Sequence, residues 1–549
     1  MYILGLNAPP LGWHDPSAAL IAPDGTVLAL VEEERVSRRK HGLHQYPTGA
    51  IRACLDIAGI GVEDIATVAI GWDLPRQWPR RDRDALDPPL PGRLWSFDDW
   101  AAYLDACLGT SCRNRPDLVF VPHHTAHALS SFHGSGWPSA AVLIVDGNGD
   151  DEAISVYHAK RGAFPVRKAR LPFSHSIGTM YDTVSNWIGL SFLEAGKTMG
   201  LAAYGRGTET AGAMFRIRED GIAPPFDLPR DSEYDAVVAE WNGHFERSGF
   251  RKSSRPVAEL HTCADAVSLS WAAQSGLETL MGQLADWARA LTGETRLCLA
   301  GGVALNCSAN GLLPEPVYVP PVPHDAGVAL GAAWFVAPPK AAAPLSPYLG
   351  RSASEAEIDR AIRASGLSRT PFDAARLATD LADGRIGALF TGRSEAGPRA
   401  LCHRSILARP QSAEARDAVN RRKSRELWRP LSPVALASDC GAYWQDAPNL
   451  HRYMVGAATV SETCRQVAPG VVHVDGTARP QRVEDDGEPV ARILRAMEGA
   501  GAPGLLINTS FNRRGEPIVD DPATAIDAFR AMRLDFLVFD DKWVVHDHG

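Results

Sequence analysis

One pattern occurs twice before Lys160: an apolar run, a polar glycine-containing stretch at its end, and then a hairpin. The first copy is Tyr2–Leu6, followed beyond Gly12-Trp-His14-Asp-Pro by Ala18–Ala22 and Val27–Val31 around Asp24-Gly25. Asp-Gly between two apolar runs is a strong hairpin signal, because these residues tolerate the positive φ of a tight turn. The second copy is Ala140–Val145, which ends in Asp146-Gly147 and is followed by Ala153–Tyr157. Apolar runs of this length, bounded by turn residues, read as buried strands. A strand–hairpin unit used twice at this separation predicts two similar α/β halves.

The rest of the chain divides at residues 337–347, a Pro- and Ala-rich stretch with one charge that reads as a linker. The predicted domains are 1–340 and 348–549, both of ordinary size in a chain of 549 residues. The first contains a helix at Thr48–Ala58 and a long amphipathic helix at Ala264–Leu291, with Leu269, Leu277, Leu280 and Leu284 at helical spacing. A short strand at Arg296–Ala300 then runs into a glycine pair. In the second, a helix at Ser354–Ala364 precedes strands at Ile386–Phe390 and Leu505–Ile507. Pro522–Met532 reads as a helix capped by Asp521, with Phe536–Phe539 as the strand after it. Residues 208–256 have no usable periodicity and receive no assignment.

Charge narrows the function classes. A net charge of −9 and a pI near 6.0 argue against a general nucleic-acid or membrane-surface binder. No apolar run approaches the length of a membrane span, and the N-terminus lacks the basic and apolar regions of a signal peptide. Nine cysteines without a C-x-x-C pair make neither a disulfide framework nor a zinc ribbon, so a reducing cytoplasm is expected. A homodimer is the default assembly.

Five groups of residues have chemical potential. His123 and His127 are four apart, so a helix presents both imidazoles on one face, either as metal ligands or as surface histidines. Asp146 ends an apolar strand, where α/β folds place ligand-binding carboxylates or a simple Asx turn. Gly301 and Gly302 permit close approach of backbone to a phosphate, and Asn306 and Asn310 follow as hydrogen-bonding groups; a plain strand–helix turn explains the pair equally well. Asp325 supplies a further carboxylate. Between Arg393 and Arg429 lie ten basic residues (Arg393, Arg399, Arg404, Arg409, Arg416, Arg421, Arg422, Lys423, Arg425, Arg429) against four acidic ones (Glu395, Glu414, Asp417, Glu426). Guanidinium forks suit phosphate oxygens, although a basic run is also commonly a solvated face. His14 is suited by its ordinary pKa to move a proton near neutrality.

Along nearly its whole length the chain resembles the NodU/CmcH-type carbamoyltransferases. The resemblance is carried by GWHDPSAAL, VEEERVSRRKHG, PHHTAHA, LIVDGNGD, GKTMGLAAYG, LAGGVALNCSANG, PHDAGVALGAA, GRSEAGPRALCHRSIL, NRRKSRELWRPLSP, TARPQ and INTSFNRRGEPIVDDP, in consistent order. It implies an actin-like ATPase (ASKHA) fold for the first domain, similar to the tRNA threonylcarbamoyl transferase, and a YrdC-like α/β fold for the second. It further implies that the second domain forms carbamoyl adenylate from carbamoyl phosphate and Mg-ATP. The first would then transfer the carbamoyl group to a hydroxyl, expected on a sugar moiety of a natural product, with no nucleic-acid partner and no membrane.

By the same resemblance His123, His127, Asp146 and Asp325 are the metal ligands and His14 is the catalytic base. Lys40, Gly301, Gly302, Asn306 and Asn310 fall at the adenylate site of the first domain. Arg399, Arg404, Lys423, Arg425, Arg479, Ser510 and Asn512 fall on the carbamoyl phosphate and ATP motifs of the second. Iron(II) rests on the resemblance alone, since two imidazoles and two carboxylates also accept manganese or zinc. Two positions depart from the family pattern: Cys402 stands where Gly is usual, and Asp150 where Glu is usual. A tRNA-modifying enzyme with the same two domain types is the main rival, and the acidic balance argues against it. A non-catalytic nucleotide-binding regulator is the second. It would need neither the metal set nor the arginine cluster.

Overall fold

A computed structural model describes residues 1–8, 14–77, 97–109, 115–208, 214–218, 221–229 and 232–547. Residues 78–96, and parts of the unassigned 208–256 region, lie outside the described residues.

The repeated strand–hairpin pattern corresponds to two five-stranded sheets of identical order and sense. In the first, Val27–Glu32 and Ser17–Ile21 lie antiparallel beside Tyr2–Asn7, which is flanked on its other side by parallel Ile65–Ile70 and then Asp117–Phe120. In the second, Val166–Pro172 and Glu152–Lys160 lie antiparallel beside Ser139–Gly149, flanked by parallel Leu297–Ala300 and then Val317–Tyr318. The hairpin turn at Asp150 and Asp151 has φ of 52° and 71°, the backbone that a tight hairpin of two central residues demands.

Two helices, His123–Ser135 and Val328–Val336, lie against each other, the former packed on the second sheet and the latter on the first. Their close approach is set by Gly331, where an added Cβ would fall 1.8 Å from the Ala126 carbonyl oxygen. The long helix Ala264–Thr292 packs Leu269, Leu277, Leu280 and Leu284 into the core of the second sheet. The 208–256 region contains a short hairpin, Arg216–Arg218 with Gly221–Ala223, and a helix at Tyr234–Arg247. That helix buries Val237, Trp241 and Phe245, one face at helical spacing in an otherwise charged stretch.

The second domain is one eight-stranded mixed sheet between two helix pairs. Phe536 and Val538 face Ala374–Ala382 and Pro489–Gly499, while Leu537 and Phe539 face Glu355–Ser365 and Pro522–Ala531. Both sides of the strand Phe536–Phe539 are covered, so it is apolar at every position instead of alternating. Ser354 and Glu357 form a capping box, and Asp521 accepts from Thr524 N–H as the cap of the last helix. The linker has no regular structure, but it lies along the first domain: Leu345 N–H donates to Gly134 O at 2.8 Å. No helix among the described residues is long and apolar enough to cross a membrane.

Candidate functional site

His123 and His127 project from the first turns of their helix, Asp146 from the strand Ser139–Gly149, and Asp325 from the short turn that precedes Val328–Val336. The four side chains are buried and their ligand atoms converge. His123 Nε2 lies 3.2 Å from Asp146 Oδ2, 3.5 Å from Asp325 Oδ1 and 3.1 Å from His127 Nε2. His127 Nε2 lies 3.6 Å from Asp146 Oδ2 and 3.7 Å from Asp325 Oδ1. Corners separated by these distances surround a point about 2.1 Å from each, the usual metal–nitrogen and metal–oxygen length. The residues therefore fit a divalent transition metal.

Neighbouring groups fix the ligands. His123 Nδ1 donates to Gly71 O at 2.9 Å, and a carbonyl only accepts, so Nε2 carries the lone pair that a metal requires. Asp146 Oδ1 accepts from Gly147 N–H and Gly302 N–H, both at 2.8 Å, leaving Oδ2 toward the histidines. Gly301, at φ 93°, brings its Cα so close that a Cβ would lie 2.3 Å from Val145 O. The glycine pair thus seats the strand that carries Asp146, a role that a strand–helix turn in the sequence does not reveal. Asp150 accepts from His123 N–H at 2.5 Å and from Asp73 N–H at 3.2 Å. The shorter carboxylate at this departure position anchors the helix His123–Ser135 by its backbone. Trp72 stacks on His123 with centroids 3.9 Å apart.

Burial opposes a charged His123, but Asp146 and Asp325 outweigh it and raise the imidazole to about 10. Asp146 is held well below its ordinary range, against burial, by His123 and His127. In the metal-free protein a proton occupies the position that a cation would take.

His14 lies beside this cluster. Its Nδ1 donates to Asp15 Oδ2 at 2.9 Å, and His41 Nδ1 donates to Asp15 Oδ1 at 3.0 Å. Burial lowers His14, yet Asp15, with smaller contributions from Asp325 and Asp146, raises it to about 9. A divalent cation at the metal cluster would oppose the last two contributions.

The basic residues separate into two groups. Arg399, Lys423, Arg425, Arg429 and Arg479 share one electrostatic environment, with Lys40 of the first domain within reach. Burial and these like charges push Lys423 and Arg425 well below their ordinary values. Among the described residues no ion pair joins Arg399, Lys423, Arg425 or Arg479 to a carboxylate. The shielded Nε atoms of Arg399 and Arg425 lack hydrogen-bond partners. Ser510 and Asn512 position Lys423: its Nζ donates to Ser510 O, to Asn512 O at 3.0 Å and to Asn512 Oδ1 at 3.1 Å. Arg479 donates to Ser432 Oγ at 3.1 Å.

Arg404 is different, and the expectation that it binds the phosphate is corrected. It is fully buried, and its guanidinium donates to the carbonyls of Thr391, His403, Gly392 and Arg351 while lying over the Phe390 ring. It knits the second domain together. Asn306 and Asn310 likewise have internal partners. Asn306 exchanges hydrogen bonds with Gln274 and caps the turn at Ala309, and Asn310 Nδ2 donates to Ala304 O and Val455 O.

The two domains meet across this site. Arg399 Nη2 reaches Leu305 O at 3.5 Å, at the end of the short turn that the glycine pair opens. Lys197 pairs with Glu426 at 3.2 Å, and Tyr204 OH donates to Trp428 O at 3.0 Å. Glu32 Oε2 accepts from Gly397 N–H at 3.1 Å, and Arg35 donates to Gly397 O at 2.5 Å. Asp15, Glu32, Arg35 and His41 were not singled out by type or spacing; only the fold assembles them.

The carbamoyltransferase C-terminus family model matches residues 378–546, and the carbamoyltransferase N-terminus model matches residues 90–334. Nodulation protein NolNO of Sinorhizobium fredii is 32% identical over 97% of this chain and 79% of its own length. The 3'-hydroxymethylcephem-O-carbamoyltransferases of Amycolatopsis lactamdurans and Streptomyces clavuligerus are 31% and 30% identical, over 65% and 76% of this chain and 66% and 78% of theirs. These relationships span both domains and the site between them, and the chain belongs to the NodU/CmcH-type carbamoyltransferase family.

Proposed function

We propose that the protein is an ATP-dependent O-carbamoyltransferase that acts in two steps. In the second domain water breaks the carbamoyl phosphate P–O bond and inorganic phosphate leaves, and the carbamate oxygen then bonds to the α-phosphorus of ATP, releasing pyrophosphate and forming carbamoyl adenylate. The first domain passes the carbamoyl group to an acceptor hydroxyl. The observation that carries this reading is the group of uncompensated cations, Arg399, Lys423, Arg425 and Arg479, at the boundary between the domains. Guanidinium groups stay charged when buried, so such a cluster is stable only with an anion among them. Phosphates of carbamoyl phosphate and ATP supply that anion.

The two sheets of equal topology support an actin-like reading of the first domain. Lys40 and the backbone around Gly302 lie on the first domain's side of the cationic group, where an adenylate would arrive. His123, His127, Asp146 and Asp325 would hold the metal, with iron(II) the choice implied by the family and Mg²⁺ accompanying ATP. When bound, that ion supplies Lewis-acid polarisation of a substrate oxygen. His14 takes the proton from the acceptor hydroxyl, a poor nucleophile until deprotonated. The cephem-named relatives support a hydroxyl acceptor on a small natural product, and a sugar hydroxyl is the form proposed here.

The deciding experiment is pyrophosphate release from ATP and Mg²⁺, with and without carbamoyl phosphate, followed by addition of hydroxylated acceptors. Release that needs carbamoyl phosphate, and carbamoylated product once an acceptor is present, is the expected result. Folded, metal-loaded protein that gives neither with any acceptor overturns the reading.

A further inference from the structure

Asp15 binds two imidazoles at once, one on each oxygen. A carboxylate only accepts, so both Nδ1 atoms carry hydrogen and both Nε2 atoms point away from Asp15. The backbone around it is closed from several directions. Asp15 N–H donates to His41 O at 2.7 Å, and Asn7 Nδ2 donates to Asp15 O at 2.8 Å. Asn7 Oδ1 in turn accepts from Trp72 Nε1 at 2.8 Å, and Trp72 stacks on the metal-ligand residue His123. His41 N–H donates to Glu34 Oε2 at 2.8 Å. Asp15 and His41 both take left-handed backbone, with φ of 57° and 63°. Non-glycine residues rarely adopt this region, and they hold it where the surroundings over-determine it, commonly at functional sites. Here it folds two segments, 26 residues apart, onto one carboxylate.

We propose that Asp15 is the positioning residue of the transfer step: it fixes the tautomer and ring direction of His14, while His41 holds its second oxygen so that it cannot turn away. The inference rests on His14 as the base of the proposed carbamoyl transfer. In that step the acceptor oxygen bonds to the carbamoyl carbon as its proton passes to His14 Nε2. The bond from that carbon to the adenylate phosphate oxygen breaks, and AMP leaves with the electron pair. The imidazolium that forms faces Asp15. Other charged groups acting on His14 are Asp146, Asp325 and Asp182, and those acting on Asp15 are His41, His324, Glu32 and Glu34.

The test compares Asp15→Asn, Asp15→Glu and His41→Gln in the metal-loaded protein. Asp15→Asn is expected to lower kcat for transfer by roughly 10²–10⁴, the range of general-base catalysis, with little change in the acceptor KM. The acidic limb of its pH profile moves to lower pH, because a negative charge beside His14 is gone. Asp15→Glu recovers part of the rate, and His41→Gln loses about tenfold. Unchanged transfer in Asp15→Asn overturns the proposal. So does a loss with an unmoved pH limb and no recovery by Asp15→Glu, which marks a purely structural role. Nitrogen NMR of labelled histidines gives a readout independent of turnover: wild type shows hydrogen on Nδ1 of both His14 and His41, and Asp15→Asn shifts both rings. Rings that do not respond overturn the geometry, whereas responsive rings in a protein without transfer activity place the failure in the carbamoyltransferase reading.

Discussion

Two clusters of histidine and aspartate lie side by side in the first domain, built from the same residue types for opposite ends. At His123, His127, Asp146 and Asp325 four ligand atoms converge on one point, and all four residues are at most 5% exposed. At His14, Asp15 and His41 one carboxylate is shared between two rings whose side chains remain 21% and 28% exposed, and Glu34 closes on Asp15 and His41 from the other side. Ring orientation makes the difference. His123 is tied by Nδ1 to a neutral carbonyl, which leaves Nε2 for a cation among carboxylates. His14 is tied by Nδ1 to the carboxylate itself, which stabilises a proton on the ring. The first arrangement suits a metal and the second suits proton transfer.

Removing a ligand breaks this comparison most severely. Asp325→Asn is expected to weaken metal binding by more than about a hundredfold, beyond the 10–100-fold typical of outer partners, whereas Asp150→Asn stays within about 10–100-fold because it holds His123 only by the backbone. Metal content after dialysis, measured by elemental analysis, checks the order. Equal losses in the two variants would mean that Asp325 is not a ligand.

Chelation has a pH signature with a definite sign. In metal-free protein His123 is raised from its ordinary 6.5 to about 10. A group raised on folding contributes stability that is complete below its unfolded pKa and is lost as pH rises through its folded one. Chelator-treated protein should therefore lose thermal stability between about pH 6.5 and 10, with His14, raised to about 9, acting in the same direction. Asp146 is depressed, so its contribution disappears only in acid, outside this window. Metal-loaded protein, in which a cation replaces the proton, should show a flatter curve over the same range. Parallel curves would remove the case for a shared position of proton and metal.

The two arginines of the Arg399-Ala-Leu-Cys-His-Arg404 stretch sharpen the contrast between binding and structure. Arg399→Ala is expected to lower carbamoyl-phosphate-dependent pyrophosphate release by about 10²–10³ while leaving the unfolding midpoint unchanged or slightly higher, since one of several like charges is removed. Arg404→Ala should instead lower stability by about 3 kcal/mol, because the carbonyls of the buried Thr391 and His403 lose their donor. Pyrophosphate assays and urea unfolding on both variants distinguish the roles. The sequence could not, because charge pattern and spacing are the same whether a guanidinium faces a ligand or a carbonyl.

Legibility followed the range of the interaction. That His123 and His127 share one helix face was legible because four residues make about one turn, and that Asp146 ends a strand because an apolar run stops beside it, while their reading as ligands came from the family resemblance. The long helix, the capped last helix and the duplicated strand–hairpin unit were readable for the same local reason. Asp325 offered no local pattern at all, since nothing local ties it to a helix some 200 residues earlier. Asp15 and His41 meet only through two left-handed turns that their residue types disfavour. Helix Tyr234–Arg247 was missed because its apolar face is three residues in a charged stretch.

The smallest expected effect concerns Cys402, where backbone and side chain compete. At φ 78° it occupies the left-handed region that the family's usual glycine takes without strain. Its thiol donates to Gln481 Oε1 at 3.2 Å, and that oxygen also receives Asn508. Cys402→Gly relieves strain of about 1 kcal/mol but loses the contact and loosens the unfolded chain, so its net effect should be within about 1 kcal/mol of zero. Cys402→Ala keeps the strain and loses the contact, and should be the less stable variant by about 0.5–1 kcal/mol. Urea midpoints of the two variants decide it. If alanine is as stable as glycine, the loop bears no strain at this position and the thiol contact alone accounts for cysteine there.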